Sequence, residues 1–202
     1  MKSLSIEPMV EKILKPIADY LDTLNFHKVK TKYTKGDDWT AISLKGYSSD
    51  PLDVTKPGVL KTKVKSDSKL QWTDLHKASE LKPIVEMLDK LPCDFERVRF
   101  MKLKAGKVIK KHSDKIDKDI GIDDGNIVRI HIPIRTNDLV TFSMWDKKIK
   151  EDFKLNVGHF YYTDVRKPHA VENLSDVDRI HLVMDCYMND DVRSWICPKN
   201  FW

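Results

Sequence analysis

Residues 127–134 read IVRIHIPI, and residues 179–184 read RIHLVM. In each stretch apolar residues alternate with polar ones, and an arginine (Arg129 or Arg179) shares one face with a histidine two positions later. Successive side chains of an extended strand point to opposite sides of a sheet. The pattern therefore predicts two strands that each pack one apolar face and carry an arginine and a histidine on the other.

Short apolar stretches of the same kind recur from residue 97 onward. The expected strands lie near residues 98–100, 127–134, 140–144, 153–157, 160–162 and 180–184. Turn signals separate them at residues 105–106, 124–126, 136–138 and 157–158. Many short strands at close spacing are typical of an antiparallel sandwich or barrel, so we expect a mainly β fold with flanking helices.

The first part of the chain has a different pattern. Apolar residues at spacings of three and four predict a helix over residues 6–24, kinked at Pro16, and a second helix within residues 75–91. Between them, residues 27–71 contain short apolar pieces broken by glycine and proline, which indicate strands or extended loops.

We therefore expect a single domain over residues 1–202. Its parts would be a helical and mixed N-terminal part (1–96) packed on the barrel, a β core (97–186) and a C-terminal tail (187–202). With 41% hydrophobic residues, a chain of this length can bury one core.

The sequence also bears on the compartment. No apolar stretch approaches the ~20 residues of a membrane span. The first residues lack the apolar block of a signal peptide, and the three cysteines form no CxxC motif. These features predict a cytoplasmic protein without a disulfide framework.

The net charge is +5, from 36 basic and 31 acidic residues, and it favours anionic partners in general. Nucleic-acid binding would require a basic face with interleaved aromatic residues or a recognition helix, and the sequence has neither. We therefore do not expect a nucleic-acid partner, and the lysines also fit an ordinary solvated surface.

The triplet HSD at residues 112–114 is the first candidate for a metal site. In an extended strand His112 and Asp114 project from the same face, so both can bind one ion. His169, further along the chain, can supply a third ligand. Two histidines and one carboxylate on one side of a metal are typical of non-haem Fe(II) oxygenases. Taken alone, an HxD triplet also occurs by chance on surface loops.

Arg179 is the candidate for a second binding role. A turn near residues 174–176 would return the chain after His169 and bring Arg179 close to the metal. Arginine grips a carboxylate through two parallel hydrogen bonds, which suggests a dicarboxylate co-substrate. The alternative is a strand whose arginine and histidine simply face water.

These residues carry a resemblance. The stretch 97–186 resembles the aspartyl/asparaginyl β-hydroxylase family of Fe(II)/2-oxoglutarate dioxygenases, and most closely its bacterial branch with the free L-proline cis-hydroxylases. The matching pieces are residues 99–106, 112–114, 129–134, 158–164, 167–173 and 178–185, and more loosely residues 39–46.

The resemblance implies a double-stranded β-helix, the jelly-roll fold that is similar to cupins. It implies His112, Asp114 and His169 as iron ligands. It also implies that Arg179 binds the distal carboxylate of 2-oxoglutarate and that His131 lies near the other end of that molecule.

Substrate residues are less well defined. By the resemblance, Arg129 faces the substrate carboxylate. Arg166, shortly before His169 in the chain, and Trp39 are further candidates for the pocket. Family members that act on folded protein domains have a small residue at the position of Asp114 and a serine at the position of Met101. Both departures favour the small-molecule or bacterial branch over the branch that acts on folded protein domains, and they do not decide the substrate. The remaining histidines, including His181, are expected to be structural or solvated.

The leading hypothesis is a dioxygenase that hydroxylates a free, proline-like amino acid or a small peptide. It would use Fe(II), 2-oxoglutarate and O2, with ascorbate in support, and release succinate and CO2. One alternative places an Asp, Asn or Pro side chain of a protein in the pocket. Another is a jelly-roll protein that binds a metal or ligand without catalysis.

Overall fold

The computed structural model describes residues 1–54, 70–114 and 127–197. The strands in these ranges are β1 (Lys2–Ser3), β2 (His27–Lys28), β3 (Trp39–Gly46), β4 (Gln71–Trp72), β5 (Phe95–Leu103), β6 (Lys107–His112), β7 (Ile127–Arg135), β8 (Val140–Asp146), β9 (Ile149–Phe153), β10 (Tyr161–Tyr162), β11 (His169–Asn173) and β12 (Arg179–Tyr187). The α-helices are α1 (Glu11–Asp22), α2 (Lys82–Leu88) and α3 (Asp190–Ile196). Two 3-10 turns, Asp74–Lys77 and Ser79–Leu81, precede α2.

The strands form two antiparallel sheets. The major sheet has the order β1-β10-β7-β12-β5-β3-β2, with β4 paired to β3, and the minor sheet has the order β6-β11-β8-β9. Side chains from both sheets meet in one apolar cluster, which includes Leu103 of β5, Ile109 of β6 and Phe142 of β8. The two sheets therefore face each other, and the predicted jelly roll is confirmed.

The other side of the major sheet is covered by the helices. The largest apolar cluster joins the outward residues of β7 and β12, such as Ile130 and Leu182, to buried residues of α1, α2 and α3. Each fully buried side chain of this size contributes about 1.5–3 kcal/mol. Because the apolar face of each strand packs against helices, its arginine and histidine point inward, between the sheets. They do not face water: Arg129 and Arg179 are both buried.

Gly158 anchors the start of the helical layer. Its φ of 76° lies in the left-handed region that favours glycine. Its carbonyl oxygen accepts a hydrogen bond of 3.1 Å from the backbone N–H of Met9, just before α1. A Cβ at this position would overlap the carbonyl oxygen of Met9. Only glycine allows the chain to pass so closely here.

Some element bounds differ from the prediction. A strand is expected over residues 153–157. In the structure, β9 instead ends at Phe153, which is its last residue paired with β8. The first helix is shorter than expected and contains Pro16, and the C-terminal tail contains α3. The strand β3 lies before the predicted start of the β core, yet it pairs with β5 in the major sheet.

The turn predicted at residues 124–126 and the end of the tail lie outside the described ranges. Within those ranges, every helix is too short or too polar to cross a membrane.

Candidate active site

The predicted metal ligands come together at one end of the minor sheet. His112 is the last residue of β6 and His169 is the first residue of β11, and the two are direct partners in the antiparallel register. Asp114 follows β6, where its backbone N–H donates to the carbonyl of Val165. One ligand atom from each of the three side chains lies within 4.8 Å of the others.

Both imidazoles are held by backbone carbonyl groups. The Nδ1 atom of His112 lies 2.7 Å from the carbonyl oxygen of Lys110, and Nδ1 of His169 lies 2.9 Å from that of Lys167. Because a carbonyl only accepts, Nδ1 carries the hydrogen in each ring and Nε2 keeps its lone pair for a metal. Burial, followed by the charge of His112, lowers the pKa of His169 to about 4, which keeps that ring neutral.

Aromatic rings cover the two histidines. The Tyr33 ring stacks on His112 with centroids 4.4 Å apart and planes inclined by 20°. Phe142 stacks on His169 at 5.9 Å. The Trp39 ring lies 6.4 Å from His112, and its buried Nε1 has no hydrogen-bond partner among the described residues. The site therefore has an apolar wall with an unsatisfied N–H donor beside it.

A cluster of charges adjoins the triad. Arg129 donates to Asp114 at 2.6 Å and to Asp185 at 2.7 Å. Arg97 and Arg99 lie 2.7 and 2.8 Å from the same Asp185 carboxylate. Burial alone would raise the pKa of Asp185, but the three guanidinium charges outweigh it and hold that pKa well below its usual range. Asp185 is therefore a buried anion shared by three arginines.

A pocket also lies between the two sheets. Arg179 and His181 line it together with Thr136 and an apolar wall of Val140, Phe142, Phe153, Leu155 and Val171. Nδ1 of His181 lies 2.7 Å from Nη2 of Arg179, and burial lowers the pKa of Arg179 to about 9. Within the described ranges, no carboxylate pairs with this guanidinium.

His131 stands beside this pocket. Its ring lies 5.8 Å from that of His181 and 5.9 Å from that of Phe142, measured between centroids. Neither ring nitrogen of His131 has a hydrogen-bond partner among the described residues. Burial and then the charge of Arg179 lower its pKa well below the usual range, so the ring is neutral. Buried polar atoms without partners are rare and mark a place where a polar ligand fits.

The comparisons with known proteins agree with this geometry. The sequence model described as aspartyl/asparaginyl beta-hydroxylase matches residues 9–189. The chain belongs to the aspartyl/asparaginyl beta-hydroxylase family. Together with the His-Asp-His group, membership of this hydroxylase family identifies the protein as a 2-oxoglutarate-dependent Fe(II) dioxygenase. No curated protein matches the chain.

Solved structures show the same fold as this β-hydroxylase family chain. A prolyl-4-hydroxylase of Pseudomonas putida has a TM-score of 0.56 at 12% identity, covering 93% of this chain and 92% of that chain. A 2OG-Fe(II) oxygenase family oxidoreductase from Burkholderia pseudomallei has a TM-score of 0.52 at 14% identity, covering 88% of this chain and 79% of that chain. A Trichoplax adhaerens prolyl hydroxylase in complex with a hypoxia inducible factor peptide fragment has a TM-score of 0.52 at 11% identity. This match covers 87% of this chain and 76% of that chain.

The other predicted site residues are placed as follows. Arg166 makes two hydrogen bonds to Asp164, of 2.8 and 3.1 Å, through its side chain. The structure also brings Arg97, Asp185 and Tyr33 to the site, and the sequence patterns described above assign them no role. The arginines of β5 alternate with buried apolar residues in the same way as Arg129 does in β7, and this signal could have found them.

Proposed function

We propose that this dioxygenase hydroxylates a free, proline-like amino acid or a small peptide. The observation that carries the proposal is the cluster of Arg97, Arg99 and Arg129 around Asp185, within one hydrogen bond of Asp114. Because Arg129 of this cluster also contacts Asp114, a substrate carboxylate bound by Arg129 would lie close to the metal ligands.

The charge count in this cluster supports an anionic group. Three arginines stand against the carboxylates of Asp185, Asp114 and Glu96, the last lying 3.3 Å from Arg97. A metal bound by Asp114 would add two positive charges and make the surroundings net positive. A substrate carboxylate would offset one of these two charges, which the buried environment makes favourable.

We propose His112, Asp114 and His169 as the ligands of Fe(II). The donor set of two imidazole nitrogens and one carboxylate fits that ion, and both imidazoles are fixed in the tautomer that a metal requires. When bound, Fe(II) supplies the oxidation of a substrate C–H bond, coupled to the oxidative decarboxylation of 2-oxoglutarate to succinate and CO2 with O2. The protein orients the reactants and keeps them dry.

We assign the pocket lined by Arg179 and His181 to 2-oxoglutarate. Arg179 would pair with the distal carboxylate, because it is buried and, within the described ranges, its side-chain contact is with the neutral His181 and not with a carboxylate. His131, with both ring nitrogens unsatisfied, would contact the other end of the molecule. The apolar wall matches the methylene groups between the two ends.

We place the substrate between Trp39 and Arg129. The indole N–H of Trp39 would donate to the substrate, and Arg129 would face its carboxylate. Arg166 stays a further candidate, and its side chain donates hydrogen bonds to Asp164. The three cysteines of the described chain are free thiols, which supports a reducing compartment such as the cytoplasm.

The test is succinate formation from 2-oxoglutarate by the purified protein with Fe(II), ascorbate and O2. Pools of free L-amino acids, including proline, are added, and the products are identified by mass spectrometry. We expect succinate to rise with one pool and the matching amino acid to gain one oxygen atom. Asp114→Ala and His169→Ala should abolish both signals, while His27→Ala, at an exposed position on β2, should retain them.

The same assay addresses the main alternative. Two of the structural neighbours are prolyl hydroxylases, one of them with a peptide fragment bound. An Asp, Asn or Pro side chain in a protein is therefore the second candidate substrate. Slow succinate formation that no amino acid stimulates, but that a peptide library does, would overturn the free-amino-acid proposal.

A further inference from the structure

Two neighbouring side chains on β12 make a contact that the assigned roles do not use. Arg179 and His181 project from the same face of the strand and are only 3% and 1% exposed. The Nη2 atom of Arg179 lies 2.7 Å from Nδ1 of His181. A guanidinium has only donors, so Nδ1 of His181 is the acceptor and the ring hydrogen sits on Nε2.

The chemistry of this acceptor suits a binding arginine. Burial, and then the charge of Arg179, lower the pKa of His181 well below its usual range, so the ring is neutral. A neutral acceptor satisfies one N–H of the guanidinium but leaves its positive charge uncompensated. A carboxylate in the same place would neutralise Arg179 and compete with an incoming anion.

Few other groups are available to orient the guanidinium. Apart from Thr136, the side chains that line this pocket with Arg179 and His181 are apolar. The Nε atom of Arg179 and Nε2 of His181 are buried without hydrogen-bond partners in the described part of the chain. Both therefore remain donors for a ligand, while Nη2 is already engaged.

We propose that His181 is a positioning residue for Arg179, fixing the guanidinium in the orientation that grips the distal carboxylate of the co-substrate. The inference rests on the proposed role of Arg179 in binding 2-oxoglutarate. Without the hydrogen bond to His181, the flexible side chain of Arg179 would lose rotamer freedom each time the ligand binds. Because His181 already fixes the rotamer, that entropy cost is not added to the free energy of binding.

The experiment compares two ligands that differ only at the distal end. 2-Oxoglutarate and 2-oxovalerate, which has a methyl group in place of the distal carboxylate, are titrated into the Mn(II)-loaded protein by calorimetry. His181→Leu should weaken 2-oxoglutarate binding by about 10- to 100-fold and change 2-oxovalerate binding by less than about twofold. An equal loss for both ligands would mean a merely structural role and would overturn the inference.

A second variant keeps the acceptor. In His181→Asn the side-chain oxygen takes the place of Nδ1, so 2-oxoglutarate should bind within about threefold of the wild type. Binding as weak as in His181→Leu would contradict the acceptor role. His27→Leu, at an exposed position on β2, is the matched control, and thermal melting shows that each variant is folded.

The wild type and Arg179→Ala separate this inference from the proposed function. Equal affinity of the wild type for the two ligands would overturn both the proposed role of Arg179 and that of His181. Normal 2-oxoglutarate binding by Arg179→Ala would do the same. Weak 2-oxoglutarate binding by Arg179→Ala together with normal binding by His181→Leu would overturn only the role of His181.

Discussion

Arg129 donates a hydrogen bond of 2.6 Å to Asp114, the carboxylate that completes the His-Asp-His group. Through its Nε atom the same guanidinium donates to Asp185 at 2.7 Å. Asp114 is thus oriented by a cation that is itself anchored to a buried anion. Groups that orient a metal ligand in this way affect metal affinity although they do not touch the ion.

Arg129→Lys should therefore weaken metal binding. A lysine keeps the charge but cannot bridge Asp114 and Asp185, since it lacks the planar fork of donors. We expect Fe(II) affinity, titrated anaerobically, to fall by about 10- to 100-fold. Arg135→Lys is the control, because Arg135 lies on the same strand and binds Asp22 with two hydrogen bonds away from the site. An unchanged affinity in Arg129→Lys would contradict this link.

Arg179→Ala should act on the co-substrate. Loss of the charged partner of a buried carboxylate should raise the apparent KM for 2-oxoglutarate by about 10- to 100-fold. The kcat at saturating 2-oxoglutarate should change much less, because the metal ligands are intact. Steady-state succinate formation measures both constants, with Arg193→Ala on helix α3 as the control. A normal KM would show that Arg179 does not hold this ligand.

Asp185→Asn should destabilise the fold. Asp185 is fully buried and is the shared counter-ion of Arg97, Arg99 and Arg129. Removing one partner of a buried ion pair costs about 3–5 kcal/mol, because the remaining charges stay buried without compensation. Denaturant unfolding at neutral pH measures the loss, and Asp176→Asn at an exposed position is the control. A change as small as in that control would refute the shared-anion role.

The same carboxylate predicts how stability responds to acid. The folded pKa of Asp185 lies below the unfolded value of about 3.9, so its contribution is complete above that pH and is lost as the pH falls toward the folded pKa. Wild-type unfolding free energy should therefore decrease on acidification below about pH 4. In Asp185→Asn this acid-dependent decrease should be smaller, which unfolding series at several pH values would show.

Gly158→Ala should loosen the start of the helical layer. An added Cβ would overlap the carbonyl oxygen of Met9, and the positive φ adds backbone strain. Gly36→Ala is the matched control, since Gly36 also has a positive φ but has open space around it. We expect Gly36→Ala to cost about 1 kcal/mol and Gly158→Ala at least about 2 kcal/mol more. Equal losses in thermal unfolding would rule out the overlap.

Parts of the fold and site follow directly from the sequence because the relevant signals are local. The alternation in β7 and β12 predicts both strands and their faces, and residues 112–114 place a histidine and a carboxylate together at a strand end. The sequence does not show which face points inward. Because the apolar faces pack against the helices, the polar faces lie between the two sheets and are buried. In a sheet with one face open to solvent, the polar face would be the exposed one.

Other parts depend on contacts between distant segments. Asp185 joins arginines from β5 and β7, and its role appears only when the register of three strands is known. Tyr33 reaches His112 from a stretch without a motif, so nothing in the local sequence indicates it. For His181 the sequence predicts a structural or solvated residue, because it cannot show that the ring accepts a hydrogen bond from Arg179.

The position of β6 in the minor sheet means that a bound metal would also affect how that sheet is held together. Within the described ranges this strand is the outermost one of the minor sheet, and the backbone N–H of Lys110 donates a hydrogen bond to the carbonyl oxygen of Tyr33. An ion bound by His112 on β6 and His169 on β11 would cross-link the edge strand to its neighbour. Without the metal, the pairing of β6 with β11 would depend on the backbone hydrogen bonds between the two strands alone.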